Sequence, residues 1–137
     1  MISLLGLYQE AEDEGIPVFD FQLSHREAMS LKDTDGQCYI ALDYHKVESE
    51  QHEKCLLAHE LSHCETDAFY TSLSPFELWG KYERRATKLM VQRLVPEKEL
   101  RSAVRQGCTE VWELAERFEV TEDIIVKAAQ LYGYWRS

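Results

Sequence analysis

Positive charge is scarce in this chain: 15 Lys+Arg stand against 25 Asp+Glu, a formal net charge of −10 over 137 residues. Nucleic-acid binding draws most of its affinity from Lys and Arg displacing counterions, so direct contact with DNA or RNA is disfavoured. Long apolar runs are missing too. No stretch approaches the ~18 residues of a membrane span, and the opening Met1-Ile2-Ser3-Leu4-Leu5-Gly6-Leu7-Tyr8 has no basic region ahead of its short apolar segment. The expectation is a soluble, cytoplasmic, unexported protein with no membrane partner. The 6 glycines, Gly6, Gly15, Gly36, Gly80, Gly107 and Gly133, form no phosphate loop, which leaves nucleotide chemistry unsupported. Cys38, Cys55, Cys64 and Cys108 include no C-x-x-C pair and read as reduced thiols, small buried hydrophobes rather than a disulfide framework. No repeat, low-complexity tract or Gly/Ser linker divides the chain, whose length suits one core, so residues 1–137 read as a single domain.

What is present divides into a mixed first part and a helical second half, an α+β organisation. Leu4, Leu7, Tyr8 and Ala11 share one face of a helix over residues 2–14, which Gly15 and Pro17 end. Val18 to Leu23 alternates with period two, as a strand buried on one face does. Ala28 to Lys32 and Gln37 to Asp43 are further strands, joined through Asp33-Thr34-Asp35-Gly36, where Asp-Gly suits a tight hairpin turn. These segments predict a small antiparallel sheet. A calcium loop is excluded there, because the glycine comes too early and Tyr44 stands where the bidentate Glu belongs. Helical patterns then cover 49–66, 79–95, 97–105, 109–118 and 121–132, with a loop over 67–76.

The helix from Ser49 contains His59-Glu60-Leu61-Ser62-His63, an H-E-x-x-H pattern. Its i, i+4 spacing sets both imidazoles on one face a single turn apart, as two ligands of one Zn²⁺ require. Glu60 projects beside them, off the metal but within reach of a water that the metal activates, the position of a general base. Leu56, Leu57, Ala58 and Leu61 wrap the same turns, so these polar groups sit in a largely buried helix and need partners.

A third ligand is required, and the extended H-E-x-x-H-x-x-G-x-x-H form is absent, since Thr66 and Phe69 stand at its Gly and last His. Glu83 is the best candidate. The next helix carries it on the stripe of Ala86, Met90 and Leu94, opposite Arg84, Arg85, Lys88 and Gln92, so this carboxylate points inward. An ionised, unpaired carboxylate there costs on the order of several kcal/mol, so it must meet zinc or an arginine. Glu65, Asp67 and Glu77 are weaker alternatives. For a second oxyanion donor, Tyr70, Tyr82 and His45 are all open, and the strand Gln37 to Asp43 could hold an extended substrate along an exposed edge.

His59-Glu60-Leu61-Ser62-His63, followed by Glu83-Arg84-Arg85-Ala86 and then Leu94-Val95-Pro96, resembles the ImmA/IrrE family of metallo-endopeptidases. Glu83, Ala86, Leu94 and Pro96 fall without a gap on the Glu, Ala, second Leu and Pro of the family's E-x-x-A-N-x-F-A-x-x-L-L-x-P. Thr87, Leu89, Met90 and Arg93 depart from it, and Ser62 replaces a common Gly in the first motif. The resemblance implies a zincin-type helix under a small sheet, one Zn²⁺ on His59, His63 and Glu83, and cleavage of helix-turn-helix repressors of phages, mobile elements or stress regulons.

A rival from another class is a non-catalytic interaction or DNA-binding regulator, because Glu113 to Lys127 resembles the first two helices of a helix-turn-helix. Charge opposes it: Glu113, Glu116, Glu119, Glu122 and Asp123 outnumber Arg117 and Lys127 between 113 and 130. Glu119 also replaces the Gly usual in that turn. A helical hairpin closing the core, with Trp112, Tyr132, Tyr134 and Trp135 packed inward, is the preferred reading. The acidic surface would steer the basic recognition helix of a repressor.

Overall fold

The computed structural model describes residues 1–66 and 76–134, without the side chains at 76–79 and 82. The order is α1 (Leu4–Asp13), β1 (Val18–Asp20), β2 (Ala28–Lys32), β3 (Cys38–Leu42), a 3-10 turn (Tyr44–Lys46), then α2 (Glu50–Thr66), α3 (Phe76–Leu94), α4 (Glu97–Arg105), α5 (Val111–Phe118) and α6 (Glu122–Leu131). The α+β class and helical second half are as the sequence indicates. Ser3 caps α1 by accepting from the Gly6 N–H, and Ser49 accepts from the His52 N–H at 3.0 Å at the start of α2. The expected loop over 67–76 falls almost wholly outside the described residues, although α3 already includes Phe76.

The sheet order is β1-β3-β2. β2 and β3 form the expected antiparallel hairpin, with Asp33 accepting from the N–H groups of Asp35 and Gln37 in its turn. β1 is shorter than the alternation suggests and joins β3 in parallel, so the sheet is mixed. Strand order depends on which edges the helices leave open, which local periodicity does not encode. It also makes β3 the central strand, paired on both sides, so Gln37 to Asp43 offers no free edge to a substrate.

Cys38, Ile40 and Leu42 of β3 are buried against Leu57, Ala58 and Leu61 of α2, while Leu7 and Ala11 of α1 close one flank. Met90, Val91 and Leu94 continue the same core into α3, and Leu100, Leu114 and Ile125 carry it through the last three helices. At the α5–α6 corner Glu119 takes the left-handed conformation itself, φ 56° and ψ 47°, so the turn forms without its usual glycine. Lys54 of α2, only 1% exposed, supports that corner by donating to the Phe118 carbonyl at 2.8 Å, with the Glu119 carboxylate 3.9 Å away. Tyr132 is half-buried and donates to the Val95 carbonyl, but Trp112 and Tyr134 are 58% and 47% exposed, contrary to the inward packing expected of them. Trp135 lies outside the described residues.

The cysteine reading is corrected as well. Cys38, at the start of β3, is bonded to Cys64, in the last turn of α2, with Cα atoms 6.0 Å apart; Cys55 and Cys108 are free. Nothing in the spacing of the cysteines announces this, because the packing of β3 on α2 brings the two together. Closing a loop with a sequence separation of 26 stabilises a fold by about 3 kcal/mol. Alkylation of the protein unfolded in guanidinium, followed by mass analysis, is expected to label two cysteines without reductant and four with it. Cys38→Ser should lower the unfolding free energy from urea titration by about 3 kcal/mol, and an unchanged value would contradict the cross-link.

Candidate active site

The α2 helix sets His59 and His63 on adjacent turns, and their rings meet edge-on with centroids 4.7 Å apart. Glu83 enters from α3, on the stripe that buries Ala86, Met90 and Leu94, while Arg84, Arg85, Lys88 and Gln92 on the other side are exposed. Its two carboxylate oxygens divide between the imidazoles: Oε2 lies 3.1 Å from His59 Nε2 and Oε1 lies 2.9 Å from His63 Nε2. One donor atom from each of the three side chains lies within 4.8 Å of the others. Glu60 turns its Oε2 to His59 Nδ1 at 3.3 Å and is 7% exposed.

Burial alone would lower the His59 pKa, but hydrogen bonds and attraction from Glu60 and Glu83 outweigh it and push the imidazole up to about 9. The two carboxylates that hold a proton on His59 would equally favour a metal cation in its place. Two imidazoles plus one carboxylate is also the donor set of zinc hydrolases that keep a fourth position open. These residues therefore fit a zinc ion. Because a ligating imidazole must be neutral, metal binding displaces the His59 proton. Zinc affinity is expected to rise about tenfold per pH unit between pH 6 and 8, with proton release seen by calorimetry in buffers of different ionisation heat. A flat profile would contradict this coupling.

The three residues open onto a cavity of about 890 Å³, also lined by the segment Ser24 to Leu31, which includes most of β2. Asp43, buried at 1% exposure, organises the loop leading into that wall. Its carboxylate accepts from the Leu23 N–H at 3.0 Å and the His45 N–H at 3.2 Å, which together with Lys46 hold it below the usual carboxylate range. Lys46 Nζ in turn donates to the carbonyls of Leu23 and Arg26.

Of the alternative ligands, Glu65 pairs with Arg93, while Asp67 and the side chain of Glu77 lie outside the described residues. So do Tyr70 and the Tyr82 side chain. His45 sits on the 3-10 turn and is not among the residues lining the cavity. His25, Arg26 and Lys46 do line it, and sequence reasoning missed them, since isolated basic residues in an irregular stretch carry no motif. Two departures from the family pattern meet behind the site: the Arg93 guanidinium contacts the Ser62 hydroxyl at 3.4 Å, Glu65, and Glu10 of α1 at 3.2 Å.

Paired imidazoles from one helix, a carboxylate from the next and a second carboxylate held alongside make a His/Glu donor set of the kind that can hold a metal ion. The IrrE N-terminal-like domain family, Peptidase_M78, matches residues 11–130, and the chain belongs to it. It is thus a metallopeptidase of the ImmA/IrrE type. Neither the curated proteins nor the solved structures searched contain a match. No described helix is long and apolar enough to cross a membrane.

Proposed function

We propose that the protein is a zinc endopeptidase in which His59, His63 and Glu83 hold one Zn²⁺, Glu60 is the general base, and a helix-turn-helix repressor is the substrate. The observation that carries the reading is the convergence of those three donors on the floor of a cavity with an open strand edge as its wall. Zinc bound there supplies a Lewis acid that brings the pKa of water to about 7 and polarises a carbonyl. Glu60 accepts the proton of the attacking water and passes it to the departing amine, so the peptide C–N bond breaks with no net gain or loss of protons. Its contact with His59 Nδ1 keeps the carboxylate beside the metal ligands rather than among them.

The β2 edge is suited to hold the substrate backbone. The Asp43 N–H donates to the Glu27 carbonyl and the Asp33 N–H to the Gln37 carbonyl. Alternation between these two points turns the polar backbone groups of Met29 and Leu31 toward β3 and those of Ala28 and Ser30 outward, along the cavity. An extended peptide would add here as a further strand. The repressor is taken from the family resemblance, and the acidic charge of the chain supports it, since a recognition helix is basic.

Glu60→Gln is expected to retain stoichiometric zinc while cleavage falls at least 100-fold, the lower end of what a general base contributes. The assay is co-expression with the repressor encoded beside the gene, followed by blotting for the full-length protein; undiminished cleavage would remove Glu60 from its role. Ser30→Pro deletes an outward N–H without touching the β2–β3 ladder. It should keep the circular dichroism spectrum and zinc content and lower kcat/KM about tenfold, the loss of roughly one hydrogen bond. An unchanged kcat/KM would move the substrate off this edge.

A further inference from the structure

The outer face of the sheet is apolar where a solvated face would be polar. In β3, Cys38, Ile40 and Leu42 point to the core, so Tyr39 and Ala41 point away from it. Phe19 and Met29 stand in register with Ala41 from either side, and Leu31 with Tyr39, which places all five on the outer face. The Phe19 and Tyr39 rings stack with centroids 6.2 Å apart, and Phe21 follows Phe19 at strand spacing. Phe19, Phe21 and Leu31 are 52%, 62% and 52% exposed. Single exposed apolar side chains are ordinary, but a contiguous set across three strands is not, and such patches mark interaction surfaces.

Two features identify the occupant. Met29 and Leu31 belong both to this face and to the cavity that holds His59, Glu60, His63 and Glu83, so the patch continues out of the candidate active site without a break. At the hairpin end its rim is acidic, with Asp33 and Asp35 in the turn beside Lys32, while His25 and Arg26 stand at the opposite, cavity end of β2, in a chain of net charge −10. We propose that the outer face of the sheet is a docking surface for the protein substrate, and that it takes an apolar segment flanked by basic residues while another part of that substrate lies along β2. The surface selects a folded or helical partner by an apolar centre and a positive border, adding affinity that a short peptide in the cavity alone does not receive. It rests on the peptidase reading only in taking the docked protein to be the one that is cut.

The test measures binding in the Glu60→Gln protein, which cannot consume its partner. The probe is a fluorescein-labelled helical peptide with a leucine stripe flanked by lysines, and its control is the same peptide with glutamates for lysines. Anisotropy is expected to show the lysine peptide binding at least tenfold more tightly than the glutamate peptide, more weakly at higher salt, and equally well after zinc is removed with a chelator. Phe19→Thr/Phe21→Ser should weaken that binding at least tenfold, with Phe21→Ser alone, outside the strand, giving a smaller loss if the double variant folds poorly. Equal binding by parent and variants overturns the proposal. So does a concentration-dependent dimer in sedimentation that Phe21→Ser abolishes, because a second copy would then be what covers the face. Since chelation leaves docking intact but stops a zinc peptidase, failure of docking and failure of the catalytic reading give different results.

Discussion

The placement of one carboxylate, Glu83, on the buried stripe of α3 constrains everything around the site. A half-buried negative charge facing the core needs a counter-charge, and α2 offers two imidazoles whose Nε2 atoms lie about one carboxylate apart. The helices cannot slide or rotate against each other without breaking this bridge, so their crossing is set by the chemistry of the site as well as by the packing of Leu57 and Leu61 against Val91 and Leu94. A second carboxylate, Glu60, then adds to the negative field around His59, and together with Glu83 it raises the pKa of that ring against the effect of burial. A proton and a metal ion bound there would compete for one position.

Much of this was legible in the sequence because it is written in periodicity. The i, i+4 histidines specify one helical face, and the Glu83, Ala86, Met90, Leu94 stripe specifies another, so the two halves of the site follow from local rules. Strand order does not. Val18 to Leu23 and Gln37 to Asp43 carry the same alternation, and nothing local tells an edge strand from a central one, so the pattern alone leaves β3 open as an edge that β2 in fact supplies. The Cys38–Cys64 bond was illegible for a related reason: it joins a strand to a helix, and only their packing brings the two sulfurs together. The exposure of Trp112 and Tyr134 is not encoded locally, because aromatic residues near the last helix satisfy a core and a surface equally well in sequence.

The departures from the family pattern make physical sense as a set. An arginine in place of an apolar residue at position 93 would be costly if it faced hydrocarbon, but Arg93 meets Ser62, which stands where a glycine is common, together with Glu65 and Glu10. The pair forms part of a charged tie linking α1, α2 and α3. The disulfide fixes the same end of α2 to the central strand one residue beyond His63. The turn that bears the second histidine is therefore held from the sheet by a covalent bond and from the other helices by ion pairs, leaving its inner face free to present an imidazole.

The C-terminal hairpin shows how the same argument separates likeness from function. Its corner turns through Glu119 in the left-handed conformation, and the residue that supports the corner is Lys54 from the candidate zinc helix, buried and donating to the Phe118 carbonyl. A lysine committed to the interior cannot meet phosphate, and the hairpin carries more acids than bases, so its electrostatics oppose the duplex that a helix-turn-helix would bind. Its structural work is instead to close the core behind α2. Leu114, Phe118, Val120, Ile124 and Ile125 are nearly inaccessible, and Cys55 of α2 lies beside Thr121 at the turn. The hairpin is thus part of the scaffold that holds the His59–His63 helix in place, and replacing its apolar side chains would perturb the candidate zinc site through α2 rather than through any nucleic acid.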